Sequence, residues 1–369
     1  MQKCQCLDLQ LSHFTLETSV LLCGYPNPSY SLPIPLAGQF FWHTVSALGC
    51  SIHEGSHGVN QLQKRQGAMG AEPLNAVAMR AEIARKAAAH IRMDGEKITA
   101  IPGFTLYRHT APTACYPASY EPSFNVFVQG RKRVAFGGAT YLCDESTFLL
   151  TSVDVPVVSQ IVSASEDVPM LAMLLKLDMG IVREILSQEE FRGSEGPPQG
   201  LGIAIGKTTV DLLKPCSRLL DLLDTPEDAH FLSNLIQREI VYRLLKGPQG
   251  ERLRAIATLG DQSHRTAKAI AWLRTNYRKP LRVEELAVVA RMGVSTLHHH
   301  FRGLTAMSPL QYQKQLRLRA ARDRMLMDGL DATTAAFEVG YESASQFNRE
   351  YKRFFGQPPM RDINARRLA

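Results

Sequence analysis

The chain has 369 residues, enough for two or three domains with cores of their own. Its 45% apolar and 21% charged residues exclude a disordered or fibrous chain, and seven scattered cysteines with no C-x-x-C pair exclude a disulfide framework and a zinc knuckle. The net charge of +7 is lopsided: residues 264–369 hold 19 Lys and Arg against 9 Asp and Glu, while the first 263 residues hold 23 against 26.

That asymmetry predicts a nucleic-acid-binding module joined to a near-neutral body. No apolar run reaches the ~18 residues that would suggest a membrane span. "SVLLCGY" (19–25) is short, has only Lys3 as a positive charge before it, and places Leu22 ahead of Cys23. It therefore reads neither as a secretory leader nor as a lipoprotein signal, and the expected location is the cytoplasm.

Residues 1–75 carry four of the seven cysteines, a proline-rich run "YPNPSYSLPIPLAG" and no apolar period. They predict an irregular N-terminal extension; a reading frame that properly starts at Met69 or Met79 is an equal alternative. "LNAVAMRAEIARKAAAHI" predicts a helix over 74–91, with Val77, Ile83 and Ile91 as its apolar positions. Over 101–177 the pattern changes to short β-branched and aromatic runs, among them "GFTLYRH", "PSFNVFVQG", "RKRVAF", "ATYLC" and "STFLLTS". Gly137-Gly138 between two of them is a hairpin signal, and strands at this spacing predict a sandwich or small barrel.

From Met179 the period is helical again. "GSEGPPQGLG" (193–202) reads as a loop, and two amphipathic helices follow, the second with Phe231, Leu235, Ile236, Ile240, Leu244 and Leu245 on one face. They either pack on the β domain or form a homodimer contact. "GIAIGKTT" (202–209) is one residue short of a phosphate-cradling loop and follows no predicted strand, so it is set aside.

In the last third, "HRTAKAIAWLRTNYRKPL" gives a helix with Ala267, Ile270, Ala271 and Leu273 near its core face. "RVEELAVVARMGVSTLHHHFRGLT" gives two helices around a turn at Gly293-Val294, with Ala287 small where they approach. Ser308 and Pro309 open a helix of about 18 residues, roughly 27 Å long, with Leu310, Leu316, Ala320 and Leu326 as its apolar stripe. A second helix–turn–helix follows, with its turn at 339–342 and its second helix from Ser343 to Gly356.

The runs "SPLQYQKQLRLRAARDRML" and "GYESASQFNREYKRFFGQPP" closely resemble the AraC/XylS family of bacterial transcription regulators. "YEPSFNVFVQGRKRVAFGGATYLCDESTFLLTSVDVPVVSQI" is similar to the sensory region of one AraC-type branch, so the resemblance covers about 80–362. It implies an α+β chain. An irregular extension (1–75) would precede a cupin-like β-barrel sensory domain with flanking helices (76–262). An all-α domain of two helix–turn–helix units joined by a long helix (263–369) would follow. The implied function is regulation of transcription in response to a small-molecule or chemical signal, with double-stranded DNA and RNA polymerase as partners.

A recognition helix shows the outward face of its first turns to base edges. On the first unit that face holds Ser295, Thr296, His298 and His299; on the second it holds Ala344, Ser345, Gln346 and Arg349. The resemblance places DNA contacts on these same helix positions. Gln346 suits adenine and Arg349 guanine, while Ser295, Thr296, Ser343 and Ser345 suit phosphates. Arg302, Arg317, Lys352 and Arg353 are expected to supply general phosphate attraction. Consecutive residues on a helix point ~100° apart, so His298, His299 and His300 cannot converge on one metal.

Within 100–180 the only histidine is His109, which argues against a metal cupin, and neither a metal nor another cofactor is expected. Cys115 and Cys143 are candidate effector- or redox-sensing thiols, or else small apolar filler. Two rival readings remain: a cupin-type enzyme with a DNA-docking tail, which a metal-ligand cluster in the barrel would favour, and an architectural DNA binder, which the unlike outward faces of the two recognition helices oppose.

Overall fold

The computed structural model describes residues 74–188 and 202–367; the expectations for the extension and for most of the 193–202 loop lie outside the described residues. Helix α1 (Leu74–His90) precedes nine strands: β1 (Gly95–Ile98), β2 (Phe104–His109), β3 (Tyr116–Tyr120), β4 (Ser123–Gln129), β5 (Arg131–Phe136), β6 (Ala139–Cys143), β7 (Thr147–Thr151), β8 (Val155–Ser163) and β9 (Met170–Lys176). Then come α2 (Met179–Gln188), β10 (Ile203–Lys207), α3 (Val210–Asp221), α4 (Pro226–Lys246) and α5 (Gly250–Ala257). The remainder is helical: α6 (Gln262–Asn276), α7 (Val283–Ala290), α8 (Val294–Thr305), α9 (Pro309–Met327), α10 (Ala332–Glu338), α11 (Ala344–Phe355) and α12 (Pro359–Arg367).

The strands form two antiparallel sheets, ordered β1-β2-β9-β4-β7-β10 and β3-β8-β5-β6. This is the β-rich domain followed by an all-α region that the sequence predicts. The β5–β6 hairpin turns on Gly137 and Gly138, both at positive φ, as the Gly-Gly pair requires. Strand β4 reads as a continuous apolar run because both of its faces are covered. Phe124, Val126 and Val128 join a core with α1, α3 and α4, while Phe127 on the opposite face meets Val134 and Ile161 of the other sheet.

Several predicted faces shift. In α1, Ile83 and Ile91 are buried but Val77 is exposed. In α4, Ile236, Ile240, Leu244 and Leu245 are buried, whereas Phe231 and Leu235 lie in solvent with Leu232. In α6 the buried position is Ala269 rather than Ala271. "GIAIGKTT" contains strand β10, which pairs along its length with β7, so its backbone is committed to a sheet rather than to a loop.

The second core does not stop at the sandwich. It runs from Val134, Val155 and Ile161 into Leu286, Leu297, Phe301 and Tyr312 of the helical region. The Gly202 N–H donates to the Leu304 carbonyl at 2.9 Å, satisfying an acceptor in the last turn of α8. Tyr312 donates its hydroxyl to the Asp154 carbonyl at 3.0 Å. Arg274 of α6 pairs with Asp154 and, at 2.6 Å, with Glu121. Burial pushes the Asp154 carboxyl up to about 6 against the pull of Arg274.

Candidate nucleic-acid interface

The first unit turns where α7 ends on Arg291 in the left-handed region (φ 52°), whose N–H returns to Ala287 and Val288. Gly293 then occupies the N-cap of α8 without a side-chain cap. Leu297, Phe301 and Leu304 are buried, and the opposite face leaves Ser295, Thr296, His299 and Arg302 exposed. His298 and His300 are half-buried. The His299 and His300 rings meet edge to face at 5.3 Å, and burial, then His299, holds His300 below the ordinary histidine range. Among the described residues no group of three His, Cys, Asp or Glu is placed to hold a metal.

The second unit has stronger local signals. Asp331 caps α10 by accepting from the Thr333 and Thr334 N–H groups at 2.8 and 3.0 Å. Ser343 caps α11 by accepting from the Gln346 N–H at 3.3 Å, so its hydroxyl oxygen is already engaged. Phe347 and Tyr351 are fully buried. Ser345, Gln346, Arg349, Lys352 and Arg353 are exposed, and Ala344 is half-buried. Asn348 is exposed as well and lies four residues after Ala344 and four before Lys352. That spacing puts it on the reading face, and the same periodicity would have found it from the sequence.

Helix α9 links the units. Ser308 and Gln311 form a full capping box ahead of 19 helical residues, about 28 Å of helix. Its buried positions are Tyr312, Leu318, Ala321 and Met325; Leu310 is exposed, and Leu316, Ala320 and Leu326 are only partly covered. The predicted stripe was displaced because polar Gln313 and Arg322 take core-facing places.

Arg317 corrects a second expectation. Its guanidinium donates to the carbonyls of Tyr277 (2.7 Å), Gly340 (2.7 Å), Lys279 (2.9 Å) and Arg278 (3.2 Å). Gln313 adds bonds to Tyr277 and Lys279 at 3.0 and 2.6 Å. Arg317 is thus a clamp between the end of α6 and the turn of the second unit, with four of its five N–H donors committed to backbone carbonyls.

Cys143 is also corrected as a sensing thiol. It is fully buried, and burial pushes its thiol up to about 12, the opposite of an activated thiolate. Cys115 is half-buried.

Two helix–turn–helix units strung on one helix behind a β-sandwich define the class: a helix–turn–helix protein carrying an additional β domain. Residues 100–252 match the family described as "AraC-type transcriptional regulator N-terminus", and residues 286–364 match "Helix-turn-helix domain". Over these two stretches the chain is similar to the AraC-type transcriptional regulators. It is 26% identical over 149 residues to the HTH-type transcriptional regulator ArgR of Pseudomonas aeruginosa, covering 40% of this chain and 45% of that protein. It is 31% identical over 105 residues to the HTH-type transcriptional activator RhaS of Yersinia pestis, covering 28% and 38%. The chain thus spans less than half the length of these curated relatives. ToxT from Vibrio cholerae, solved bound to (E)-4-(8-methylnaphthalen-1-yl)but-3-enoic acid, shares the fold with a TM-score of 0.50 at 11% identity, over 71% of this chain and 97% of that one. Among the described residues no helix is long and apolar enough to cross a membrane.

Proposed function

We propose that this chain is a sequence-specific DNA-binding regulator of transcription, acting in the cytoplasm, in which residues 263–369 read DNA and residues 76–262 receive a small-molecule or chemical signal. One observation carries the reading: two recognition helices, α8 and α11, each with a buried apolar face and an exposed polar one, are held on a single clamped helix. Ser295, Thr296, His298 and His299 face one major-groove segment, and Ala344, Ser345, Gln346, Asn348 and Arg349 face the next. Arg302, Lys352 and Arg353 lie exposed beside them and attract phosphates. Ser343 serves chiefly as a helix cap.

RNA polymerase is the expected protein partner of such a regulator. A homodimer would find its contact on α4, where Phe231, Leu232 and Leu235 form an exposed apolar stripe. The test is selection of bound sites from random DNA, followed by footprinting. Two protected patches about ten base pairs apart per protomer are expected, with affinity falling steeply as salt rises. A single short patch, or binding indifferent to sequence, refutes the reading.

A further inference from the structure

Glu350 lies one turn after Gln346 on α11, and three side chains converge on its carboxylate. Lys314 of α9 holds its Nζ 2.7 Å from Oε1, the Tyr341 hydroxyl donates to Oε2 at 2.8 Å, and the Gln346 Nε2 donates to Oε1 at 3.4 Å. Lys314 comes from the linking helix and Tyr341 from the turn of the second unit, so the carboxylate is held by two elements outside α11. Glu350 is half-buried, whereas Gln346 is exposed on the reading face. Burial pushes the Glu350 carboxyl up, but the bonds from Lys314, Tyr341 and Gln346 outweigh it and hold the group below the ordinary glutamate range. Glu350 is therefore ionised at neutral pH.

An ionised carboxylate only accepts hydrogen bonds. It can take the amide nitrogen of Gln346 but not the amide oxygen, which would set two unprotonated oxygens against each other. The bond thus fixes which end of the amide turns toward Glu350, and it uses one of the two amide hydrogens. Gln346 is left with one donor and one acceptor. Adenine offers the complement in the major groove, with N7 accepting and N6 donating. Guanine offers two acceptors, N7 and O6. A free amide can turn its NH2 group toward both, but a held one sets its own oxygen against O6.

We propose that Glu350 is a positioning residue for base readout: its carboxylate, anchored by Lys314 and Tyr341, holds the Gln346 amide in the orientation that accepts adenine and rejects guanine. The inference rests on the reading of α11 as a recognition helix and assigns part of its specificity to a residue that touches no base. A Glu350 that merely braced the turn against α9 would act differently. Its loss would weaken binding to all sequences alike.

The test is binding of the full chain to operator variants changed one base at a time. The wild type should prefer adenine over guanine about tenfold or more at one position in the half-site of the second unit, and Gln346→Ala should erase that preference. Glu350→Met and Glu350→Ala, which both remove the acceptor, should cut the ratio at that position to about threefold or less and leave the ratios elsewhere unchanged. Glu350→Gln, whose amide oxygen can still accept from Gln346, should recover part of it. With Gln346→Ala already in place, Glu350→Met should alter no base preference. Thermal melts identify the folded variants, and methionine fills the glutamate's space if alanine destabilises the unit. An unchanged ratio in a folded Glu350→Met, weakening spread evenly over all variants, or a preference that survives Gln346→Ala overturns the inference. A wild type that distinguishes no base anywhere refutes the regulatory reading itself, whereas one whose preferences survive Glu350→Met refutes only the role of Glu350.

Discussion

The two helix–turn–helix units share a plan and differ in what their cores join. In the first, Leu286, Ala287, Leu297 and Phe301 belong to the same packed core as Val155 and Ile161 of the sandwich. In the second, Ala335, Ala336, Val339, Tyr341, Phe347 and Tyr351 close on Leu318, Ala321, Met325 and Ile363, with Tyr277 at the end of α6 packed against them and no residue of the sandwich in the cluster. Close-packed interiors transmit displacement, so a change in the sandwich reaches the first unit directly. It reaches the second through α9 and the Arg317 clamp. The chain therefore has one recognition helix tied to the β domain and one set apart on a stiff connection.

The turn glycines offer the sharpest way to break this comparison. Gly340 sits at φ 94°, and a Cβ there would meet the Arg278 carbonyl oxygen at 2.0 Å. A Cβ on Gly293, in the turn of the first unit, would find nothing nearer than Thr296 Oγ1 at 3.9 Å, with φ −67°. Gly340→Ala should cost about 3 kcal/mol or more from combined backbone strain and overpacking. Gly293→Ala should change stability by less than about 0.5 kcal/mol, as ordinary surface changes do. Denaturant melts of the two variants measure the difference, and equal losses would show that the turns are built alike.

The next effect separates a clamp from a surface cation. Arg317→Ala removes four charge-assisted bonds to carbonyls and should cost about 2–3 kcal/mol of stability. Arg302→Ala, exposed on α8, should leave stability unchanged and reduce the salt slope of DNA binding by about one. If Arg317→Ala melts like the wild type and lowers only the salt slope, the clamp is refuted.

These two arginines also show where sequence reading succeeds and fails. Elements and caps were legible because their causes are local: Ser308-Pro309, Ser343, Gly137-Gly138 and the apolar periods of α8 and α11 act within a turn or two. Arg317 was misassigned because its partners lie 23 to 40 residues away, at a meeting of segments that no local pattern encodes. The same holds for the exposed Phe231 and Leu235 on α4: periodicity finds an apolar face but not how much of it is covered. Strand β3 and strand β10 escaped notice because one contains Pro117 and the other reads as a glycine-rich loop. The outward faces of α8 and α11 followed directly from the positions of Leu297, Phe301 and Phe347, since a buried face fixes its opposite.

The recognition helices can be compared through Arg349. It is exposed on α11, three residues after Gln346 and opposite buried Phe347. As a base contact, its loss should cost about 1–3 kcal/mol and relax preference at one position within the half-site of the second unit. As a phosphate contact, its loss should weaken all sites alike and lower the salt slope. We expect the first outcome, measured by Arg349→Ala binding to a library of single-base operator variants. Preference over the half-site of the first unit should stay intact, because α8 is positioned by a separate core.

The smallest expected effect probes the joint itself. Tyr312 and Tyr351 are both fully buried, and each donates one hydrogen bond. Tyr312 reaches out of the helical region to the Asp154 carbonyl at 3.0 Å, whereas Tyr351 stays within the second unit and reaches the Asp362 carboxylate at 2.8 Å. Phenylalanine at either place keeps the ring contacts, including the edge-to-face packing of Phe301 on Tyr312 at 5.5 Å. Only the hydroxyl bond is removed. Tyr312→Phe should therefore cost about 1 kcal/mol, the net value of a neutral bond, less than Tyr351→Phe with its charged acceptor. The location of the loss distinguishes the units more than its size does. In native-state hydrogen exchange, Tyr312→Phe should speed opening of amides in β8 and α8 together, since one core spans them. Tyr351→Phe should speed only α11 and α12. If Tyr312→Phe loosens α8 while β8 keeps its protection, the shared core does not couple the sandwich to the first unit.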